Sequence, residues 1–348
     1  MPLEVIAIGT ESDPLAAGEQ PIPAIAASLR RCLGTAGILF LTLSVATPAS
    51  SVFVIVPGML QIAGTGALWA LLLAGVVCVA TAFIYAELSS AWPVAGGEYV
   101  MVKRTLGPCA GFAMLGVNVF NNLLFPPVAS LGIAAVSATV VPGLPAVPVA
   151  VTVMAMATLL GVLNVRLNAV VTGGFLAVEV VVLALIVALG GTRPARPLGE
   201  MLLHPAVAKG AALVPASASS IGVATSIAIF ALNGYGAAVY FGEEMHEASS
   251  RIARAILLAL AATLALEALP VAAALVGTRD LPGFLSAPDP FGGFVVAAGG
   301  STLGGWVAAG IVVAILNAVI AGILATARFF YATARDGSWG RPPPSRRE

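Results

Sequence analysis

Charge is what this sequence has least of. Asp, Glu, Lys and Arg make up 9% of its 348 residues, against roughly a quarter in a soluble globular domain. The 16 bases and 16 acids cancel, which excludes the strongly basic face that a nucleic-acid partner requires. Cysteine is scarce too. Cys32, Cys78 and Cys109 stand far apart, form no CxxC or zinc pattern, and are expected as small buried residues. The run Glu243-Glu244-Met245-His246-Glu247 holds metal-ligand types without HExxH spacing, so it reads as a solvated charge cluster and no metal is expected. A Walker-type phosphate loop is missing, which excludes a self-contained ATP-driven pump. With no nucleophile, base and orienter set in view, neither an enzyme nor a cofactor is expected. The absence of strictly alternating ten-residue runs argues against an outer-membrane barrel.

What is present is apolar length. Hydrophobic residues make up 59% of the chain, and its mean hydropathy is +1.02, the composition of an all-α integral membrane protein whose partner is the lipid bilayer. Eight spans are expected, at about 33–60, 67–91, 109–139, 146–165, 169–190, 217–242, 252–277 and 300–331. Residues 1–32 read as a disordered cytoplasmic N-terminus, 33–331 as the transmembrane domain and 332–348 as a cytoplasmic tail. With the N-terminus inside, twelve basic residues fall on the cytoplasmic side: Arg30, Arg31, Lys103, Arg104, Arg166, Arg251, Arg254, Arg328, Arg335, Arg341, Arg346 and Arg347. Only Arg193, Arg196, Lys209 and Arg279 fall outside. This bias predicts a multi-pass protein of the cell membrane with both termini in the cytoplasm. The loop 191–215, rich in Pro and Gly, leaves room for a short surface helix.

Two spans carry signals of a break. In the first, Ala46-Thr47-Pro48-Ala49-Ser50-Ser51 interrupts the apolar run. Pro48 lacks the amide a helix interior needs, and Thr47, Ser50 and Ser51 can satisfy the backbone groups left free. In the sixth, Phe230-Ala231-Leu232-Asn233-Gly234-Tyr235-Gly236 places Asn and two glycines where the apolar flanks favour helix. The second break lies five spans on from the first. Discontinuous helices at corresponding places of two halves point to a transporter site built on inverted repeats; a simple structural kink at Pro48 is the alternative.

The end of the second span reads Tyr85-Ala86-Glu87-Leu88-Ser89-Ser90-Ala91-Trp92-Pro93-Val94-Ala95-Gly96-Gly97-Glu98-Tyr99, followed by Arg104-Thr105-Leu106-Gly107-Pro108. This resembles the helix 2 signature of the amino acid/polyamine/organocation permeases. Glu243-Glu244 resembles that family's acidic pair after helix 6, and Ala327-Arg328 with Ala334-Arg335-Asp336-Gly337 resembles its helix 8 ending. The resemblance covers residues 33–340. It implies a bundle of five-plus-five inverted repeats with helices 1 and 6 discontinuous, the first repeat at 33–190 and a partial second repeat at 217–331. Family members usually have ten core helices, so the second repeat is expected to be incomplete after the eighth. The implied function is secondary active transport of an amino acid or related amine, by proton-coupled symport or exchange. A truncated, non-transporting membrane protein that keeps the binding half is the alternative.

The resemblance also implies a site. Amides at the start of the second half of helix 1, near Ser50 to Val52, would meet a substrate carboxylate, and carbonyls of Phe230, Ala231 and Leu232 would meet the amine. The substrate-binding set is therefore Thr47, Pro48, Ala49, Ser50, Ser51, Phe230, Ala231, Leu232 and Asn233. Phe230 is either an aromatic lid or a packing residue, and one of Asn118, Asn121 and Asn122 is expected at the cavity. Ionisable groups within spans are costly and mark function. Glu179, midway along the fifth span, can load and release a proton there and is the candidate coupling group; a protonated packing residue is the alternative. Glu87 is expected to hold the cytoplasmic gate by pairing with an Arg or backbone amides, with Glu243 and Glu244 as further gate or structural residues. Glu267 reads as structural. A sodium site is only weakly supported, since Thr326 offers a hydroxyl but Ala325 beside it none.

Overall fold

In the computed structural model the described residues are 33–94, 96–140, 143–161, 165–336 and 338–339. The expected disordered N-terminus, Cys32 and most of the expected tail lie outside them. The chain is mostly helical. Helix α1 (Thr35–Ala46) is followed by a three-residue half-turn α2 (Pro48–Ser50), a π-helical turn (Ser51–Ile55) and α3 (Val56–Ala63). After a 3-10 turn (Gly64–Gly66) come α4 (Ala67–Ala91), α5 (Gly97–Leu106), α6 (Pro108–Val140), α7 (Ala146–Gly161) and α8 (Val165–Thr192). The second part holds α9 (Leu198–Leu203), strands β1 (Ala206–Lys209) and β2 (Ala212–Pro215), α10 (Ala218–Ala231), a 3-10 helix (Tyr235–Glu244), α11 (Ala248–Gly277), α12 (Leu281–Ser286), α13 (Pro290–Gly299) and α14 (Ser301–Arg335).

Among the described residues, six helical stretches are long and apolar enough to cross a membrane. The first, Thr35–Ala91, runs for 57 residues, about 85 Å at helical rise and so far more than one bilayer needs. It doubles back. The Leu33 amide donates to the Glu244 carbonyl at 2.9 Å, and Pro93 packs on Gly242, so both ends lie beside the end of the 3-10 helix. The far point is Gly64, at φ +58, where a side chain would collide with the Ala206 carbonyl of β1. The stretch thus holds two of the expected spans. The expected span 146–165 corresponds to α7, apolar but 16 residues long, which falls short of the usual spanning length.

The β1–β2 hairpin corrects the all-α expectation. It occupies the loop expected to carry a short helix, and α9 precedes it. Four residues on each side pair antiparallel around Gly210 at φ +65, a turn that glycine permits. Thr65 Oγ1 accepts from the Ala206 amide at 2.9 Å, and Trp69 Nε1 donates to Leu202 O at 2.8 Å, so this loop is pinned to the α3–α4 reversal.

Helix α11 is the bundle's central strut, packed on α4, α8 and α1. Its crossing with α8 is closest at Gly190, where a Cβ would lie 2.0 Å from Ala273 O; small residues let backbones approach where lipid supplies no hydrophobic driving force between helices. The outer faces carry large apolar side chains, among them Val76 at 71%, Phe112 at 72% and Trp306 at 73% exposure. A surface of that kind suits hydrocarbon. Cys78 is buried, whereas Cys109, on the first turn of α6, is exposed against expectation.

Candidate functional site

The break in the first span is a single residue wide. Thr47 adopts the left-handed conformation, φ 43 and ψ 67, which is uncommon for a β-branched residue. Pro48 then opens the half-helix at its first position. The half-helix therefore starts two residues earlier than the expected Ser50 to Val52. Proline suits that place, because its missing amide would be unpaired there anyway and its φ is already helical. The other break follows α10. Gly234, at φ +115, separates it from a 3-10 helix of ten residues, well beyond the usual three or four.

The two breaks meet. Gly234 lies against the Ala46 backbone, and Ser51 Oγ donates to Ala231 O at 3.1 Å. Beside them is a cavity of about 270 Å³, closed by α1, α6, α10 and α14. Of the expected substrate-binding set, Thr47, Ser50, Ser51, Phe230, Ala231 and Asn233 line it. Pro48, Ala49 and Leu232 do not: all three are buried, and the Ala49 amide faces Glu179 on α8 instead. Phe230 stands at the rim, 63% exposed. Asn233 Oδ1 accepts from the Gly234 amide at 2.8 Å, so it caps freed backbone at the cavity edge. Asn121 and Asn122 also line the space, while Asn118 serves Glu98 from behind. A larger cavity of about 410 Å³ lies among the loops between α11 and α14, away from both breaks.

Two carboxyl groups flank the half-helix. Glu179, 1% exposed, accepts from Asn317 Nδ2 of α14 at 3.1 Å through Oε1, and its Oε2 is unpaired. Glu267 of α11 is fully buried and faces the Ser51 hydroxyl. That hydroxyl donates to Ala231 instead, which leaves both Glu267 oxygens unpaired. Reading Glu267 as merely structural overlooked this position at the break. Its sequence signal was Thr263 one turn earlier, on the same face and equally buried.

The family follows from comparison with known proteins. Residues 33–339 match the model of a family described as amino acid permeases. The chain belongs to the amino acid permease family. It is 32% identical over 278 residues to uncharacterized transporters of Mycobacterium tuberculosis strain H37Rv and of Mycobacterium bovis, matches that cover 79% of this chain and 59% of each relative. The chain thus spans less than two thirds of the length of the curated relatives it matches. The family is one of membrane permeases, and the described residues of this chain carry several candidate membrane spans.

In this chain the acidic pair that ends the 3-10 helix, Glu243 and Glu244, is engaged. Arg328 Nε and Nη2 each donate to Glu244 at 3.1 Å, a forked pair with side chains only 13% and 6% exposed. Arg335 donates to both oxygens of Glu243, one contact at 2.8 Å. Both pairs tie α14 to the 3-10 helix, so the cluster is not the solvated one expected. Glu87 corrects a second expectation. It lies on the exposed face of α4, and among the described residues no ion pair or hydrogen bond holds it, because Ala86 and Ser89 take the buried face. The acidic residue that does reach the interior from this motif is Glu98. Thr326 Oγ1 donates to Asn122 O at 3.2 Å, which engages its proton and leaves its lone pairs free.

Proposed function

We propose that this permease is a secondary active transporter of an amino acid or related amine, driven by protons and working by alternating access. The observation that carries this reading is the cavity itself, bounded at once by the half-helix beginning at Pro48 and by the chain break at Gly234. Such a cavity offers the positive end of a peptide dipole to a carboxylate. On the other side it offers carbonyls to an ammonium group. Ser50 is the half-helix residue nearest a bound carboxylate, and Phe230 at the rim acts as a lid.

Glu179 is the proton carrier in this reading. It is buried, one of its oxygens is unpaired, and the Ala49 amide connects it to the half-helix. Protonation there changes how firmly the half-helix is held, which couples proton occupancy to the substrate site. The ion pairs Glu244–Arg328 and Glu243–Arg335 act as the cytoplasmic gate, with both termini on that side. The bundle then represents one five-helix repeat and part of a second, inverted one. Uptake of labelled amino acids into proteoliposomes, with and without an inward proton gradient, tests the proposal. Gradient-stimulated accumulation is expected, and no uptake of any common amino acid would overturn it.

A further inference from the structure

Glu98 opens the helix α5 and turns its carboxylate into the cavity lining. Three donors from three distant elements converge on it. Tyr85 of α4 donates to Oε1 at 3.1 Å; Asn118 of α6 and Tyr240 of the 3-10 helix donate to Oε2 at 3.1 Å and 2.6 Å. An ionised carboxylate has about four acceptor positions, so one position is left for a ligand. The donors hold the group in place but supply no positive charge.

That missing charge sets Glu98 apart from the other acids near this end of the bundle except Glu87, which is exposed to solvent. Glu243, Glu244, Glu247 and Asp336 each lie within 4 Å of an Arg or Lys nitrogen. Glu98 has no such partner among the described residues, and the cavity lining contains no Lys, Arg or His. The cavity therefore carries one fixed negative charge, in an apolar surrounding that weakens screening. A neutral side chain would leave that charge desolvated and uncompensated, whereas a cationic one would neutralise it.

We propose that Glu98 is a specificity residue that selects substrates bearing a cationic group beyond the α-amino and α-carboxyl pair, or diamines. The inference rests on the transport reading above and narrows it. A substrate of this class would set its carboxylate, if it has one, toward Ser50 and its distal cation toward Glu98.

The test is ligand-induced thermal stabilisation of the full chain in detergent, with L-arginine, putrescine, L-leucine and L-glutamate as probes. Arginine and putrescine are expected to half-saturate at concentrations about 10-fold or more below leucine, the scale of one charge-assisted hydrogen bond. Glu98→Gln keeps an acceptor for Tyr240 and Asn118 and offers its amide nitrogen to the Tyr85 hydroxyl, but removes the charge. It is expected to weaken arginine about 10-fold and to leave leucine no weaker than before. Leucine binding as well as arginine in the wild type overturns the inference while the transport reading stands. Equal weakening of both ligands by Glu98→Gln also overturns it, by making Glu98 a structural tie. If no probe stabilises the wild type, the substrate site falls and this inference with it. Should Glu98→Gln fail to fold, the wild-type ranking of the four probes decides alone.

Discussion

Gly234 lies so close to Ala46 that a Cβ on it would come within 2.5 Å of the Ala46 Cα. The two broken helices therefore touch through backbone, at a residue whose φ of +115 favours glycine. Gly234→Ala adds both a clash with backbone and a strained dihedral. It is expected to cost about 2 kcal/mol or more, seen as a lower melting temperature in detergent, and to abolish uptake. Gly293→Ala, where nothing stands within 4 Å, is the control and should melt as the wild type.

Replacing Glu179 by Gln should separate transport from coupling. The amide can still accept from Asn317, so the fold is expected to hold. Exchange of internal for external substrate should continue, while accumulation driven by an inward proton gradient is lost. Accumulation that still follows the gradient would assign coupling to another group.

The Glu244–Arg328 pair allows a double-mutant cycle. Arg328→Met leaves a buried acid without its partner, at a cost of about 3–5 kcal/mol. Adding Glu244→Gln should recover most of that loss in thermal unfolding, because the uncompensated charge goes. Arg328 also lies 5.3 Å from the Phe241 ring centre, so a remainder is expected from that contact.

Glu267 should behave in the opposite sense. Its carboxyl oxygens are buried without hydrogen-bond partners, so Glu267→Met removes an unpaid polar burial and is expected to raise stability by about 1–3 kcal/mol. Thermal unfolding of the single variant measures this. A loss of stability would mean that the Ser51 hydroxyl turns to Glu267 for a substantial part of the time.

Lys103 provides a pH test away from the membrane-spanning segments. The Tyr99 hydroxyl at 2.8 Å, with Asp336 behind it at 3.5 Å, holds the ammonium above the ordinary lysine value of 10.5. The stability it lends is complete below that ordinary value and is lost as pH rises through the higher folded one. The side chain is 41% exposed, so solvent screening keeps the effect small. Lys103→Met should lower the melting temperature slightly at neutral pH and converge on the wild type as pH rises, which flattens the alkaline limb of the stability profile.

How much of this was legible in the sequence depends on whether the deciding forces were local. Proline's missing amide is a property of one residue, so the break at Pro48 could be read directly. Its details could not. The small polar residues Ser50 and Ser51 drew the start of the half-helix too far along, whereas proline's preference for the first helical position fixed it at Pro48. Glu98 stood inside the recognised motif without being singled out, since its donors lie 13, 20 and 142 residues away. Glu87 was over-read for the same reason, because the motif gives its position in the sequence but not the face of α4 it occupies. The hairpin 206–215 escaped because four-residue strands carry too little alternation to register.

The π-helical turn Ser51–Ile55 holds one residue more than an α-helical turn of the same pitch would accept. Winding that surplus residue back into α geometry would rotate everything on the Pro48 side by about 100° relative to α3. Ser51 would then swing off the Ala231 carbonyl, and its hydroxyl would be free to turn toward Glu267. One peptide unit's worth of slack in the turn would thus decide which partner the half-helix holds.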